Sequence, residues 1–265
     1  MANSPVLTVM IDAVRKAARG VQRDFGEVAN LQVSQKGPGD FVTASDKKCE
    51  QVLRSMLSKA RPSYGILGEE EGETKGTDGE HRFIIDPIDG TSNFMHGLPF
   101  FAVTVALERK GEIVSGVTYN PINDELFHAE KGIGAFVNNR RMRVAARKNL
   151  HEALVSTNIP HIGQKNHVAH RSEIAVLQAR TTGVRALGST ALELAFVAAG
   201  RIDAAWCHDL NAWDMAAGLL FVREAGGFVS KVDGEGDPLH SKAYLATNAD
   251  LLPQMRQALA DAKRL

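Results

Sequence analysis

Asp86 and Asp89 stand three residues apart in FIIDPIDGTSNF, just after an apolar triplet, with Pro87 and Ile88 between them and Gly90-Thr91 behind. Three other segments put a carboxylate where a helix or strand should begin or end: Asp46 in TASD, Glu69 in GEE and Asp214 in WDMAAG. Each alone has a plain structural reading. Asp-Gly after apolar residues ends a strand, Asp46 caps a helix, an acidic run is a solvated face, and Asp214 sits in a first helical turn. Gathered at one point, the same groups would do chemistry. Two carboxylates about 4 Å apart repel by about 4 kcal/mol at an effective dielectric of about 20, so such a cluster requires cations. The donors are all oxygens, with neither thiolate nor imidazole among them, which selects a hard ion that keeps its own waters, Mg²⁺ before Zn²⁺.

In chain order, TASD (43–46), GEE (68–70), DPIDGT (86–91) and WDMAAG (213–218) resemble the signature set of the inositol monophosphatase family of metal-dependent phosphatases. The resemblance covers nearly the whole chain. It implies that Asp86 bridges two Mg²⁺ ions, that Glu69 and the Ile88 carbonyl bind one, and that Asp89 and Asp214 bind the other. Glu69 would also order a third, weaker ion. Asp46 and Thr91 would position and activate a water for in-line attack on a phosphate monoester, without a covalent phosphoenzyme. Backbone N–H groups of Gly90 and Thr91 would hold the phosphoryl oxygens. Pro87 stiffens the step between the aspartates, and Gly90 allows the bend that brings a phosphate to the main chain.

At the substrate end, the resemblance puts Gly188, Ser189 and Thr190 against a sugar-like ring, with Asp89 and Asp214 nearby. Many members carry Glu seven residues before the Trp-Asp aspartate, where it accepts from ring hydroxyls. This chain has Cys207 there, a poor acceptor, with Asp209 two residues along as a candidate substitute. The implied activity is Mg²⁺-dependent hydrolysis of myo-inositol monophosphate, with histidinol phosphate or fructose-bisphosphate-type sugar phosphates as alternatives. A haloacid-dehalogenase-like scheme needs its aspartates two apart and gives WDMAAG no role. A non-enzymatic role, binding RNA polymerase or nucleic acid, has only the basic run NNRRMRVAARK (138–148) to draw on, which reads better as a solvated strand edge.

These residues need elements to hold them. Val6, Leu7, Met10, Ile11, Val14, Ala17, Val21 and Phe25 predict a helix over 5–25, and Cys49, Val52, Leu53, Met56, Leu57 and Ala60 a second one. YGIL (64–67) and Phe83–Ile85 read as strands joined by the polar connection EGETKGTDGEHR. From Phe101 to Val144 the alternation and the glycine turns predict an antiparallel meander. Beyond it, STALELAFVAAG, AWDMAAGLLFVREAGG and 250–263 read as helices, and DAAW, FVS and YLATN as strands. The fold class expected is α/β, the layered αβαβα sandwich of the sugar-phosphatase type. It forms one catalytic unit over 1–265 with two sub-halves meeting near 145.

The 265 residues, 44% hydrophobic, suffice for a core, and 31 Lys plus Arg against 31 Asp plus Glu leave no field favouring nucleic acid or membrane. Two cysteines build neither a disulfide framework nor a zinc cluster, and the N-terminus resembles neither a signal peptide nor a membrane span. A cytoplasmic homodimer is expected. His161, His167 and His170 read as an exposed loop and helix start, Glu193 as a surface or interface residue, Trp213 as packing beneath Asp214, and Cys49 as core.

Overall fold

Helix α1 (Pro5–Phe25) buries Leu7, Met10, Ile11, Val14 and Val21, the stripe their spacing predicts, and packs against Cys49, Leu53 and Leu57 of α2 (Ala44–Ala60). The computed structural model describes residues 3–25, 27, 33–37, 40–160 and 167–263. Both helices cover one face of an eight-stranded sheet. Its strands are β3 (Gly65–Gly68), β4 (Gly72–Thr74), β5 (His81–Asp89), β6 (Ala102–Arg109), β7 (Glu112–Asn120), β8 (Glu125–Glu130), β9 (Gly134–Val137) and β10 (Arg140–Arg141). They lie in the order β10-β9-β8-β7-β6-β5-β3-β4, and every neighbouring pair is antiparallel except β3 with β5. Along β5, Phe83 and Ile85 enter the core beneath α1 and α2, while Ile84 enters the core on the other face. That alternation is the two-residue period of a strand buried on both sides.

The second face is covered by α5 (Thr190–Ala198) and α6 (Ala212–Glu224), which also pack on a five-stranded sheet. There β12 (Gly183–Arg185), β11 (Leu154–Ser156) and β13 (Ala204–Cys207) run parallel, and β15 (Tyr244–Thr247) is antiparallel to both β13 and β14 (Phe228–Ser230). Because α6 is sandwiched, it is buried without interruption from Met215 to Val222. Small residues make that fit: a Cβ on Gly218 would lie 2.4 Å from Leu194 Cβ, and one on Gly116 of β7 would lie 3.0 Å from Ala217 Cα. Helices α4 (His167–Arg180) and α7 (Leu252–Ala262) form the last layer, closing a third core of Leu177, Trp206, Leu245, Met255 and Leu259. The layering is the expected αβαβα.

Several elements were not legible in advance. The polar connection after Gly68 contains β4, and β1 (Val33–Gly37) pairs with β2 (Asp40–Thr43) as a hairpin ahead of α2. A short helix, α3 (Thr91–Met95), follows the acidic pair directly.

Candidate active site

Strand β5 ends in the acidic pair. Its pairing with β6 holds as far as Asp86 opposite Thr104, slips, and resumes at Asp89 opposite Ala102. Pro87, which has no N–H for the ladder, occupies the slip. The Ile88 N–H turns back to Asp86 Oδ1 at 3.0 Å. Carboxylate oxygens of Asp86, Asp89 and Asp214 consequently lie within 4.8 Å of one another. Burial holds the Asp86 carboxyl well above the usual carboxylate range, and the charges of Glu69, Asp89, Asp214 and Asp46 push it further the same way. Asp89 is pushed up to about 6 by burial, although the Ser189 hydroxyl and the Ala191 N–H, at 2.9 Å for the latter, both donate to its Oδ2. Oxygen donors that are desolvated and repel one another match a hard divalent cation.

Other segments deliver the remaining carboxylates. Asp214 is held in the first turn of α6, where its Oδ2 accepts from the Asn211 N–H at 2.7 Å. Glu69 follows β3, and its turn is fixed by a residue that motif reading passes over. Glu50 of α2 is fully buried, accepts from the N–H groups of Glu70 and Glu71 at 2.8 and 2.9 Å, and is itself held by Arg54 Nε at 2.8 Å. Gly68 carries the trace of this clamp, since a Cβ there would sit 2.3 Å from Glu50 Oε1.

Asp46 helps cap the helix, as its plain reading predicts, and it also reaches Thr91. Thr43 is the N-cap of α2 and Asp46 its capping-box partner, with Oδ2 accepting from the Thr43 N–H at 2.8 Å and from the Thr43 hydroxyl. The other oxygen, Oδ1, lies 3.3 Å from Thr91 Oγ1, which is also 3.0 Å from the Ile88 carbonyl oxygen. Burial raises the Asp46 carboxyl to about 6. Between the two, Gly90 adopts φ +99°, and a Cβ on it would meet the Gly188 carbonyl oxygen at 3.0 Å. Asn93 Nδ2 ties the two loops together by donating to the carbonyls of Phe100 and Leu187, each at 2.7 Å. A cavity of about 470 Å³ opens over this arrangement, lined by Asp89, Gly90, Thr91, Gly188, Ser189, Thr190 and Asp214 together with Asn158, Glu193 and Leu210.

Residues 2–264 match the inositol monophosphatase family. This chain is a member of that family. It is 52% identical to inositol-1-monophosphatase of Rhizobium meliloti (strain 1021) over 98% of this chain and 97% of that one. It is 40% identical to the Nus factor SuhB of Pseudomonas aeruginosa, over 92% of each chain. Among solved structures, the extragenic suppressor protein suhB from Bartonella henselae superposes with a TM-score of 0.94 at 51% identity, covering 97% of this chain and 98% of that one. The activity that goes with membership is metal-dependent phosphoric monoester hydrolysis.

At the substrate end, Cys207 stands where the resemblance implies a glutamate. Cys207 is fully buried and is not among the residues lining the cavity, so the ring contact expected of it is not available. Its Sγ lies 3.9 Å from Glu193 Oε2. Glu193, read from the sequence as a surface or interface residue, is buried and lines the cavity instead, because α5 is buried along nearly its whole length. Its Oε1 accepts from the Leu187 N–H at 2.9 Å, and burial raises its carboxyl to about 7. Asp209 borders a different cavity and does not replace the missing acceptor. The histidine reading also changes: His161 lies outside the described residues, His167 does begin α4, and His170 is buried against Trp206 rather than exposed. Cys49 is core as expected, and Trp213 packs partly buried against the central core next to Asp214. No helix among the described residues is long and apolar enough to cross a membrane.

Proposed function

We propose that the chain hydrolyses a small phosphorylated polyol, myo-inositol monophosphate before histidinol phosphate or a sugar phosphate, with Mg²⁺ as its ion. The observation that carries this is the convergence of Asp86 with Asp89 and Asp214, the latter two lining a cavity together with Gly90 and Thr91. Asp86, Asp89, Asp214, Glu69 and the Ile88 carbonyl would hold two ions, with Glu69 ordering a third. Bound there, the ions would lower the pKa of water and stabilise charge on the departing oxygen. The chain's own part is positional and protonic. Asp46 Oδ1, with Oδ2 pinned by Thr43, draws the proton of the attacking water through Thr91 Oγ1. The phosphoryl oxygens would rest on the N–H groups of Gly90 and Thr91, two residues that line the cavity.

For the alcohol half of the substrate, Glu193 takes over the hydroxyl acceptor role that Cys207 cannot fill. Ser189 and Thr190 would orient the ring beside it. Assay of phosphate release across myo-inositol 1-phosphate, histidinol phosphate and fructose 1,6-bisphosphate, with and without Mg²⁺, tests the assignment. Fastest turnover on either alternative would overturn the inositol reading.

A second role in transcription has the support of relatives such as the Nus factor SuhB of Escherichia coli, 37% identical over 262 residues. Arg140, Arg141 and Arg143 are exposed along the β10 edge and would be its contact. Changing all three should abolish RNA polymerase capture while leaving hydrolysis intact; unchanged capture would remove the idea. A homodimer and a cytoplasmic location complete the proposal, the former checked by sedimentation.

A further inference from the structure

Away from the acidic site, α4 and the end of β13 assemble a second group of ligand-type side chains with a different chemistry. His170 and Glu173 are three residues apart on α4, so they share a face, and both are buried. His208 directly follows β13, and its backbone is fixed by Asn158, whose Nδ2 donates to the His208 carbonyl at 2.8 Å while its Oδ1 accepts from the His208 N–H at 3.2 Å. One ligand atom from each of the three side chains lies within 4.8 Å of the others. His208 Nε2 is 2.8 Å from Glu173 Oε2, and the two imidazole centroids are 4.8 Å apart at 67°.

Two further observations set this cluster apart from an ordinary ion pair. Each buried member has an outer partner that fixes its orientation: Thr157 Oγ1 is 2.8 Å from His170 Nε2, and Trp206 Nε1 donates to Glu173 Oε2 at 3.0 Å. Such partners are what hold histidine and carboxylate ligands in place around metals. A cavity of about 160 Å³ also opens against all three residues, bordered by His167, Asp209 and Lys263. Solvent can therefore reach the cluster.

We propose that His170, Glu173 and His208 form a site for a divalent transition-metal ion of the Zn²⁺ type, separate from the Mg²⁺ site. Two imidazoles and one carboxylate select Zn²⁺, Co²⁺ or Ni²⁺ over Mg²⁺, and three protein ligands leave one coordination position open to the cavity. Ligands of a tetrahedral ion at about 2.1 Å stand about 3.4 Å from one another, so side-chain rotations of about 1 Å close the cluster. His208, whose side chain is 25% exposed, has the room for them. An ion there would tie α4 to β13 and, through Asn158, to the wall of the substrate cavity.

The test uses the full-length protein, stripped with chelator, saturated with Mg²⁺ and titrated with Co²⁺ as a spectroscopic stand-in for Zn²⁺. One equivalent should bind with the visible ligand-field absorption of a low-coordinate ion. His208→Gln and His170→Gln should each abolish it, Thr157→Val should weaken binding about ten- to a hundredfold, and Asp214→Asn should leave it unchanged. His208→Gln keeps a donor for Glu173, so its fold is preserved, and Zn²⁺ should raise the melting temperature of the unaltered chain but not of this variant. Absence of the absorption would mean a hydrogen-bonded cluster only. Survival of the absorption in both histidine variants, or its loss in Asp214→Asn, would also overturn the proposal.

Discussion

Gly68→Ala puts the Glu50 clamp to a quantitative test. The added Cβ would lie 2.3 Å from Glu50 Oε1 and 2.7 Å from Arg54 Nη2. Glu50 has nowhere to retreat, since it is fully buried and accepts from Glu70 N, Glu71 N and Arg54 Nε. If its carboxylate moves, at least two charge-assisted hydrogen bonds break, at about 1.5–3 kcal/mol each, for a loss of about 3–6 kcal/mol. If the turn moves instead, Glu69 moves with it and the dependence on Mg²⁺ weakens by about tenfold or more. Urea unfolding and a Mg²⁺ titration of phosphate release distinguish the two routes. Gly20→Ala is the control, because nothing lies within 4 Å of a Cβ there; in the interior of α1 it should stabilise by up to about 1 kcal/mol. A Gly68→Ala protein with the original unfolding midpoint and the original Mg²⁺ dependence would refute the clamp.

Three further outcomes are expected. Thr91→Val removes the hydroxyl between Asp46 Oδ1 and the Ile88 carbonyl, and should lower kcat by about 10²–10⁴-fold with the melting temperature nearly unchanged. Glu193→Gln should raise KM for inositol 1-phosphate about tenfold, yet leave the KM of p-nitrophenyl phosphate and the Mg²⁺ dependence alone, because only the polyol loses a charged acceptor. Metal-free stability should fall as pH rises. Asp46 and Asp89 go from 3.8 unfolded to about 6 folded, so the native state holds more protons in that window, and stability present below it is lost through about 6. Asp46 alone accounts for about 3 kcal/mol, or roughly 6–12 °C in a chain of this size. The gain in Tm on adding Mg²⁺ should therefore grow over the same range; a gain that shrinks with rising pH would contradict this origin.

What the sequence disclosed was whatever is written locally. Asp86, Asp89 and Asp214 were legible because they sit in short contiguous motifs, DPIDGT and WDMAAG, that resemble the family's signature set, and the stripes of α1 and α2 were legible because one face of each is covered. Glu50 was not, since its carboxylate acts across 20 residues of chain and looks like any acidic residue on an amphipathic helix. Glu193 was misread although a signal existed. ALELAFVAA is apolar all round, so the helix had to be enclosed and its one carboxylate buried with it. His170 gave no such sign, because α4 mixes polar and apolar residues without a clear stripe, and only the arrival of Trp206 on β13 and of His208 just after it shows which side is inside. β4 escaped notice for a related reason: three residues that begin with Gly72 make a strand only because β3 offers them an edge.

Carboxylates from four segments, buried at Asp46, Asp86 and Asp89 and partly exposed at Glu69 and Asp214, would be made functional by shared divalent cations. The most direct measurement of this is phosphate release from inositol 1-phosphate by chelator-stripped protein as Mg²⁺ is restored. No release is expected before the ion is added, full recovery with it, and a strongly weakened Mg²⁺ response in Asp86→Asn. Undiminished turnover in excess chelator would contradict the account.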